Sequence, residues 1–360
     1  MMETEPPFSG AASRITPLAF PKGMKKMCEL CQRIAHIQCT KCRVTFYCDA
    51  EHQRADWVGI HQRICQFLIP IRNPALVCCP ETQSKKAELI EICRLVAQSK
   101  LSEGKHEEAL PAAQFCLSCS IDVHGPRTVQ LVPAYLLLAE ANMGLSNLVL
   151  VSDLLSQAQW YVLKNPDCGL AVHQQLHRSL GRLHAATGNL EASLHDFATD
   201  IYYASEEFGL DSTVTCGGYF LMAGVFAKQG KMPIARSLYS QVAHMWHRRL
   251  TKLVEDHIQN VDHPDELLDS TYDKAQRVEV DVMLRTVLEI DQKDSSQIAL
   301  VAHCLAMLWF LGGEYVKALG FGSTALQASQ LIPNHDLTEP IRGLLQLVHS
   351  VHTDPHPGSV

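Results

Sequence analysis

Cys28, Cys31, Cys39, Cys42, Cys48, His52, His61 and Cys65 follow the pattern C-x2-C-x7-C-x2-C-x5-C-x3-H-x8-H-x3-C. Thiolate sulfur and imidazole nitrogen are donors that Zn2+ prefers, and four of them complete a tetrahedral structural site. Eight such donors predict two Zn2+ ions. Cys28/Cys31 and Cys39/Cys42 are each separated by two residues, so a turn can bring both sulfurs of a pair to one ion. Cys48/His52 and His61/Cys65 are i, i+4 pairs, which share a helix face. Helix is expected there because Asp49 is a good N-cap and no Gly or Pro intervenes before Gly59. Each knuckle can thus be completed by one helical pair, and spacing alone leaves sequential and interleaved pairing both open.

The competing reading is a set of buried thiols or disulfides. Disulfides are disfavoured because no signal peptide precedes the cluster, and scattered core cysteines would not arrive in paired spacings.

Two C-x2-C knuckles, the Tyr47-Cys48 step, the Asp56-Trp57 pair and a closing H-x3-C resemble the MYND-type zinc finger. The resemblance implies interleaved, cross-braced pairing, with Cys28, Cys31, Cys48 and His52 on one ion and Cys39, Cys42, His61 and Cys65 on the other. His52 departs from the family, which usually has Cys there, although imidazole serves zinc equally well. Family members of the corepressor type bind Pro-Leu-rich peptides through a residue three before the third cysteine and through a Q-x3-W step. Gln53 and Trp57 match that step, while His36 departs from the usual small polar residue. The simpler reading of Trp57 is as core of the finger, since aromatic side chains dominate small cores.

The elements around this cluster follow from composition and period. The 360 residues exceed a typical single domain and leave room for a small finger plus a large second unit. Residues 1–24, with Pro6, Pro7, Pro17 and Pro21, are expected as a disordered lead. The finger occupies 25–72, with Phe67 to Ile71 packed on it, and 73–84 reads as a linker. Residues 85–352 are helical and repetitive, and 353–360 form a disordered tail. The expected fold is mostly α: a small cross-braced two-zinc finger followed by an α-solenoid of helical hairpins.

Three stretches carry the repeat: Leu180-Gly181 to Phe197, Met222-Ala223 to Tyr239, and Leu305-Ala306 to Ala318. Each is a helix, a Gly-centred turn and a second helix with a small residue five after the glycine. They resemble the tetratricopeptide repeat. Gly104, Gly144, Gly188, Gly230 and Gly313 set the register, and the last step is about twice the others. A sixth turn is therefore expected near Ser270, followed by Tyr272 and Ala275. The period of about 42 exceeds the usual ~34, as longer helices of the kinesin light chain type would explain. Thr251 to Asp269 is the least regular segment, and a helix from Asp336 to Val351 is the expected C-terminal cap.

Charge limits the partners. Residues 25–72 hold eight Lys/Arg and four Asp/Glu, whereas 73–360 hold 21 basic and 32 acidic residues. An acidic body is a poor match for phosphate backbones, so no nucleic acid is expected. No apolar run is long enough for a membrane span, so no membrane is expected either. The cysteines outside the finger lack a framework-like spacing and fit a reducing compartment, cytoplasm or nucleus.

Catalytic motifs such as HExxH, G-x-S-x-G and the phosphate-binding Gly loops do not occur. His173, His177 and His184 share a helical face without a partner of matching spacing, and Cys116-x2-Cys119 is half a knuckle in a helix. MYND fingers also interrupt lysine methyltransferase domains, but only 27 residues precede Cys28 and helical repeat follows Cys65. The expected function is a non-enzymatic protein-protein adaptor. Finger plus array resembles MYND proteins of motile cilia and the sperm flagellum, which implies an axonemal partner, possibly another repeat protein. The competing class is a nuclear corepressor adaptor.

Overall fold

A computed structural model describes residues 12–14, 25–72, 80–259, 274–290 and 293–353. The chain is mostly helical and divides into two compact units, Met1–Val172 and His173–Val360.

The first unit opens with a three-stranded antiparallel sheet in the order β1-β2-β3. Strand β1 (Ala12–Arg14) pairs Ala12 with Cys39 and Arg14 with Ile37 of β2 (Ile37–Cys39), and β2 pairs Ile37 with Tyr47 of β3 (Phe46–Tyr47). The expectation of a disordered lead is corrected at these three residues. A strand edge presents backbone donors and acceptors that need partners, and an extended segment supplies them. The rest of 1–24 lies outside the described residues.

Helix α1 (Ala50–Asp56) starts where expected, its first turn capped by Asp49, whose carboxylate accepts the His52 N–H at 2.8 Å. It runs through a π-helical turn (Trp57–His61) into α2 (Gln62–Ile64). Helix α3 (Leu68–Ile71) buries Leu68 and Ile71 but leaves Phe67 and Ile69 exposed, so only part of the expected apolar stretch packs.

The expected 73–84 linker is corrected at 80–84. Helix α4 (Pro80–Ser102) begins at Pro80, where a fixed φ suits the first helical position and no backbone N–H is needed. Residues 73–79 lie outside the described set. Helices α5 (His106–His124), α6 (Val132–Gly144) and α7 (Leu148–Lys164) complete two hairpins, α4/α5 and α6/α7.

The second unit holds the hairpins of α8 (Leu170–Thr187) with α9 (Leu190–Phe208), and α10 (Thr213–Lys228) with α11 (Met232–Gln259). After α12 (Lys274–Ile290) come the pair α13 (Ser295–Leu311) and α14 (Tyr315–Gln330), then α15 (Thr338–Thr353). Ile341, Leu344 and Val348 of α15 are buried one turn apart, as a capping helix requires. The stretch from Thr251, expected to be irregular, continues α11 to Gln259 because Leu250, Leu253 and Val254 extend its buried stripe. The expected sixth turn at Ser270 and Tyr272 lies outside the described residues, and Ala275 falls in α12.

Among the described residues, five hairpin turns are closed by the same hydrogen bond, from an N–H to the carbonyl five residues earlier: Lys105 to Lys100, Asn147 to Asn142, Asn189 to His184, Lys231 to Phe226 and Glu314 to Trp309. This is the Schellman closure, which needs a left-handed residue just before the donor. Gly104, Gly188, Gly230 and Gly313, expected as turn centres, take that conformation. Gly144 does not. It ends α6 in helical geometry, and Ser146 (φ 60°) fills the left-handed place. Gly144 is needed for a different reason: a Cβ there would lie 2.2 Å from the His106 ring. With Ser146 in the register the turns stand at 104, 146, 188 and 230, steps of 42, and 313 follows 83 later. The residues five after each turn, Ala109, Val151, Ser193, Ala235 and Ala318, are all buried.

Candidate metal centre

The sheet and the capped helix gather the eight donors into two groups, Cys28, Cys31, Cys48, His52 and Cys39, Cys42, His61, Cys65. Within each group the donor atoms lie within 4.8 Å of one another. This is the interleaved arrangement: each group takes one C-x2-C knuckle and one helical pair. Around a tetrahedral zinc with Zn–S near 2.3 Å, sulfurs stand about 3.8 Å apart. Cys31 and Cys48 sulfurs are 3.6 Å apart, Cys39 and Cys65 4.0 Å, and Cys28 to His52 and Cys42 to His61 both 3.6 Å. The approach of Cys48 Sγ to His52 Nδ1, 2.8 Å, is tighter. The two clusters fit two Zn2+ ions, whose chemistry here is structural, tying sheet to helix.

The sites differ in their surroundings. The second is buried, whereas Cys31, Cys48 and His52 of the first are half-exposed. At the second site His61 offers Nε2 to the cluster, and its Nδ1 faces Asp56 Oδ2 at 3.6 Å. That oxygen accepts a 2.6 Å hydrogen bond from the Tyr47 hydroxyl. A buried carboxylate behind a ligating imidazole favours one ring orientation, here through charge at 3.6 Å. Burial pushes the Asp56 carboxyl up to about 6, against the pull of His61 and Tyr47. The hydrogen bond between Cys39 and Cys42 holds the Cys42 thiol well below the usual thiol range and pushes Cys39 above it.

Arg72 closes the finger. Its Nη1 reaches Glu29 Oε2 at 2.9 Å and Val44 O at 3.2 Å, its Nη2 reaches Glu29 Oε1, and its guanidinium lies 5.6 Å from the Phe115 ring of α5. The π-helical turn approaches the same helix: a Cβ on Gly59 would stand 2.7 Å from Pro111 Cγ. The finger is therefore seated on the first hairpin. Beside the seat, a cleft of about 300 Å³ is bounded by Glu29, Leu30, Pro111, Phe115 and Leu138 among others. Sequence reasoning missed Arg72, Glu29 and the Gly59 seat, which join residues distant in the chain and belong to no motif.

Of the residues read as candidate peptide contacts, His36 is exposed, Trp57 half-buried and Gln53 buried at 5% exposure. Trp57 packs against the cysteine core, and Lys41 Nζ stands 4.4 Å over its ring. His177 and His184 both turn Nδ1 to Asp196, at 3.0 and 2.7 Å, which gives them a packing role within the α8/α9 hairpin. Cys116 and Cys119 are buried, and burial pushes their thiols up to about 11 and about 12.

Residues 28–65 match the MYND finger family, and this stretch is a MYND zinc finger. Egl nine homolog 1 of Homo sapiens is 44% identical over 43 residues, 12% of this chain and 10% of that protein. The Mus musculus protein of the same name gives the same figures. The chain thus spans about a tenth of the length of the curated relatives that it matches, and the likeness speaks for the finger alone.

Proposed function

We propose that this chain is a non-enzymatic adaptor in which the MYND finger anchors one end of a row of tetratricopeptide-like hairpins, and that the hairpins hold a partner protein. The observation that carries this reading is the register: four turns of one hydrogen-bonding design recur every 42 residues, with a fifth 83 residues on, directly after a finger of a protein-interaction class. Such repeats present continuous surfaces for peptides and helices. The eight Cys and His donors are the proposed ligands, four to each ion. His36, Gln53 and Trp57 are the proposed peptide contacts of the finger, with Gln53 acting through the position of Trp57.

The proposed partner belongs to the axoneme of motile cilia or the sperm flagellum, and this rests on the resemblance of finger plus repeats. Affinity purification of the tagged full chain from ciliated cells should recover axonemal proteins, with the tag in cytoplasm and cilium. Recovery of chromatin proteins, with the tag in the nucleus, would replace this reading by the corepressor one. S-adenosylmethionine should not bind. Saturable binding in calorimetry would reopen the methyltransferase reading.

A further inference from the structure

We propose that the first metal cluster is an oxidant-sensitive latch: peroxide joins Cys31 to Cys48 as a disulfide, that cluster gives up its Zn2+, and the tie between Glu29 and Arg72 that closes the finger on α5 is released, while the second cluster stays loaded. This goes beyond the adaptor reading and does not depend on which partner the hairpins hold.

The two clusters differ in access. Cys31, Cys48 and His52 are half-exposed, whereas all four donors of the second cluster are buried. Oxidation of a thiolate follows its exposure, so dissolved peroxide meets the first cluster ahead of the second. They differ in freedom as well. The Cys31 and Cys48 sulfurs stand 3.6 Å apart, and a disulfide bond of about 2.0 Å needs them about 1.6 Å closer. Cys31 lies in a turn and Cys48 in the bend between β3 and α1, so irregular backbone can yield by that much. In the second cluster Cys39 is fixed in β2 and His61 in the π-helical turn. The first cluster is also the one tied to the hairpin. Glu29 lies between the ligands Cys28 and Cys31, and its N–H bonds Phe46 O at 2.9 Å. Its carboxylate accepts from Arg72 Nη1 at 2.9 Å, and the Arg72 guanidinium lies over the Phe115 ring of α5. The knuckle that holds Cys31 in place therefore holds Arg72 in place.

The chemistry balances with hydrogen peroxide as the oxidant. One thiolate attacks peroxide, breaking its O–O bond and becoming a sulfenic acid, and the hydroxide set free takes up a proton as water. The other thiolate attacks the sulfenic sulfur, forms the S–S bond and expels a second hydroxide, which also leaves as water. The two sulfurs lose two electrons and the two peroxide oxygens gain them. Cys28 and His52 remain as donors, and two donors do not complete a tetrahedral site.

The test treats the zinc-loaded full chain with dilute hydrogen peroxide, followed by native mass spectrometry and peptide mapping. One Zn2+ should be lost, with a Cys31–Cys48 cross-link and a chain lighter by two hydrogens, and a dithiol reductant with added Zn2+ should restore the starting species. The amides of Glu29, Gln32 and Arg72 should exchange faster in the oxidised chain. Cys48→His removes one sulfur but keeps a donor that suits zinc, so it should hold both ions at the dose that strips one from wild type. Cys31→His takes its place if that variant does not load two ions, and the wild-type readings decide without either. Loss of both ions together, a disulfide among Cys39, Cys42 and Cys65, or a zinc count unchanged at a dose that oxidises the exposed Met27 would overturn the latch. Loss of one ion with Arg72 exchange unchanged would overturn it too, since the tie would then not depend on the site.

Discussion

Asp56 serves the second zinc site without reaching the ion, because its carboxylate lies behind His61 and is itself held by Tyr47. Asp56→Asn keeps the shape and the acceptor for Tyr47 but loses the charge that favours a firmly oriented imidazole. Partners of this kind cost about 10- to 100-fold in metal affinity when lost. Chelator competition should therefore show one ion released early in the variant and the other unchanged; loss of both together would mean that the two sites load as one. At Ser146 the issue is backbone conformation. A left-handed non-glycine residue carries about 1–2 kcal/mol of strain, and glycine would give the unfolded chain extra freedom worth about 0.4–1 kcal/mol. Ser146→Gly should thus stabilise by up to about 1 kcal/mol, seen as a higher thermal midpoint. Gly230→Ala, at a left-handed position with open space around it, should move the midpoint the other way. The eight metal donors and the Tyr47-Cys48 and Asp56-Trp57 marks were legible because residue type and spacing together define a site. Ser146 was not, since nothing about a serine announces a positive φ and Gly144 stood two residues away as a more plausible turn.

At the scale of elements, the hairpins were legible wherever a glycine took the left-handed place, because one residue type answers one backbone demand. The seating of the finger on α5 left no such trace. Its signal is a missing side chain at Gly59 opposite Pro111, a coincidence of two positions remote in sequence. Strand β1 was hidden for a related reason: three residues are too few for alternation to show. The seat predicts that Gly59→Ala, which pushes a methyl into the proline ring, costs about 1–3 kcal/mol without disturbing the ligands. Native mass spectrometry should still count two zinc ions, while the amides of α5 exchange faster. Zinc loss in the same variant would show that the seat is part of the metal site. The seat also means that a cut after residue 84 removes the surface under the finger.

For the molecule as a whole, acid provides a test that separates the two units. In the second, His303 is 3% exposed and shares a 3.2 Å contact between its Nδ1 and His247 Nε2, joining α13 to α11. Burial, with a smaller push from His247, lowers its titration from 6.5 to about 3. The group is neutral in the folded chain while the unfolded chain takes up a proton below 6.5, so stability is full above that pH and falls steadily toward pH 3. The slope is about 1.4 kcal/mol per pH unit for such a group. Hydrogen exchange resolved by peptide should show α11 and α13 loosening between pH 6 and 4, and His303→Leu should flatten that slope. An unchanged slope would mean that other groups govern the acid response. The first unit should answer to chelation instead, since its finger depends on metal.

The seat between Gly59 and Pro111 also sets an order of events during synthesis. Cys65, the last ligand, leaves the ribosome 46 residues ahead of Pro111, which at about 5–20 residues per second is roughly 2 to 9 s. During that interval the finger has all its donors and none of its support. Metal can therefore come first and contact second, and a nascent chain short of zinc would deliver α5 with no folded finger to receive.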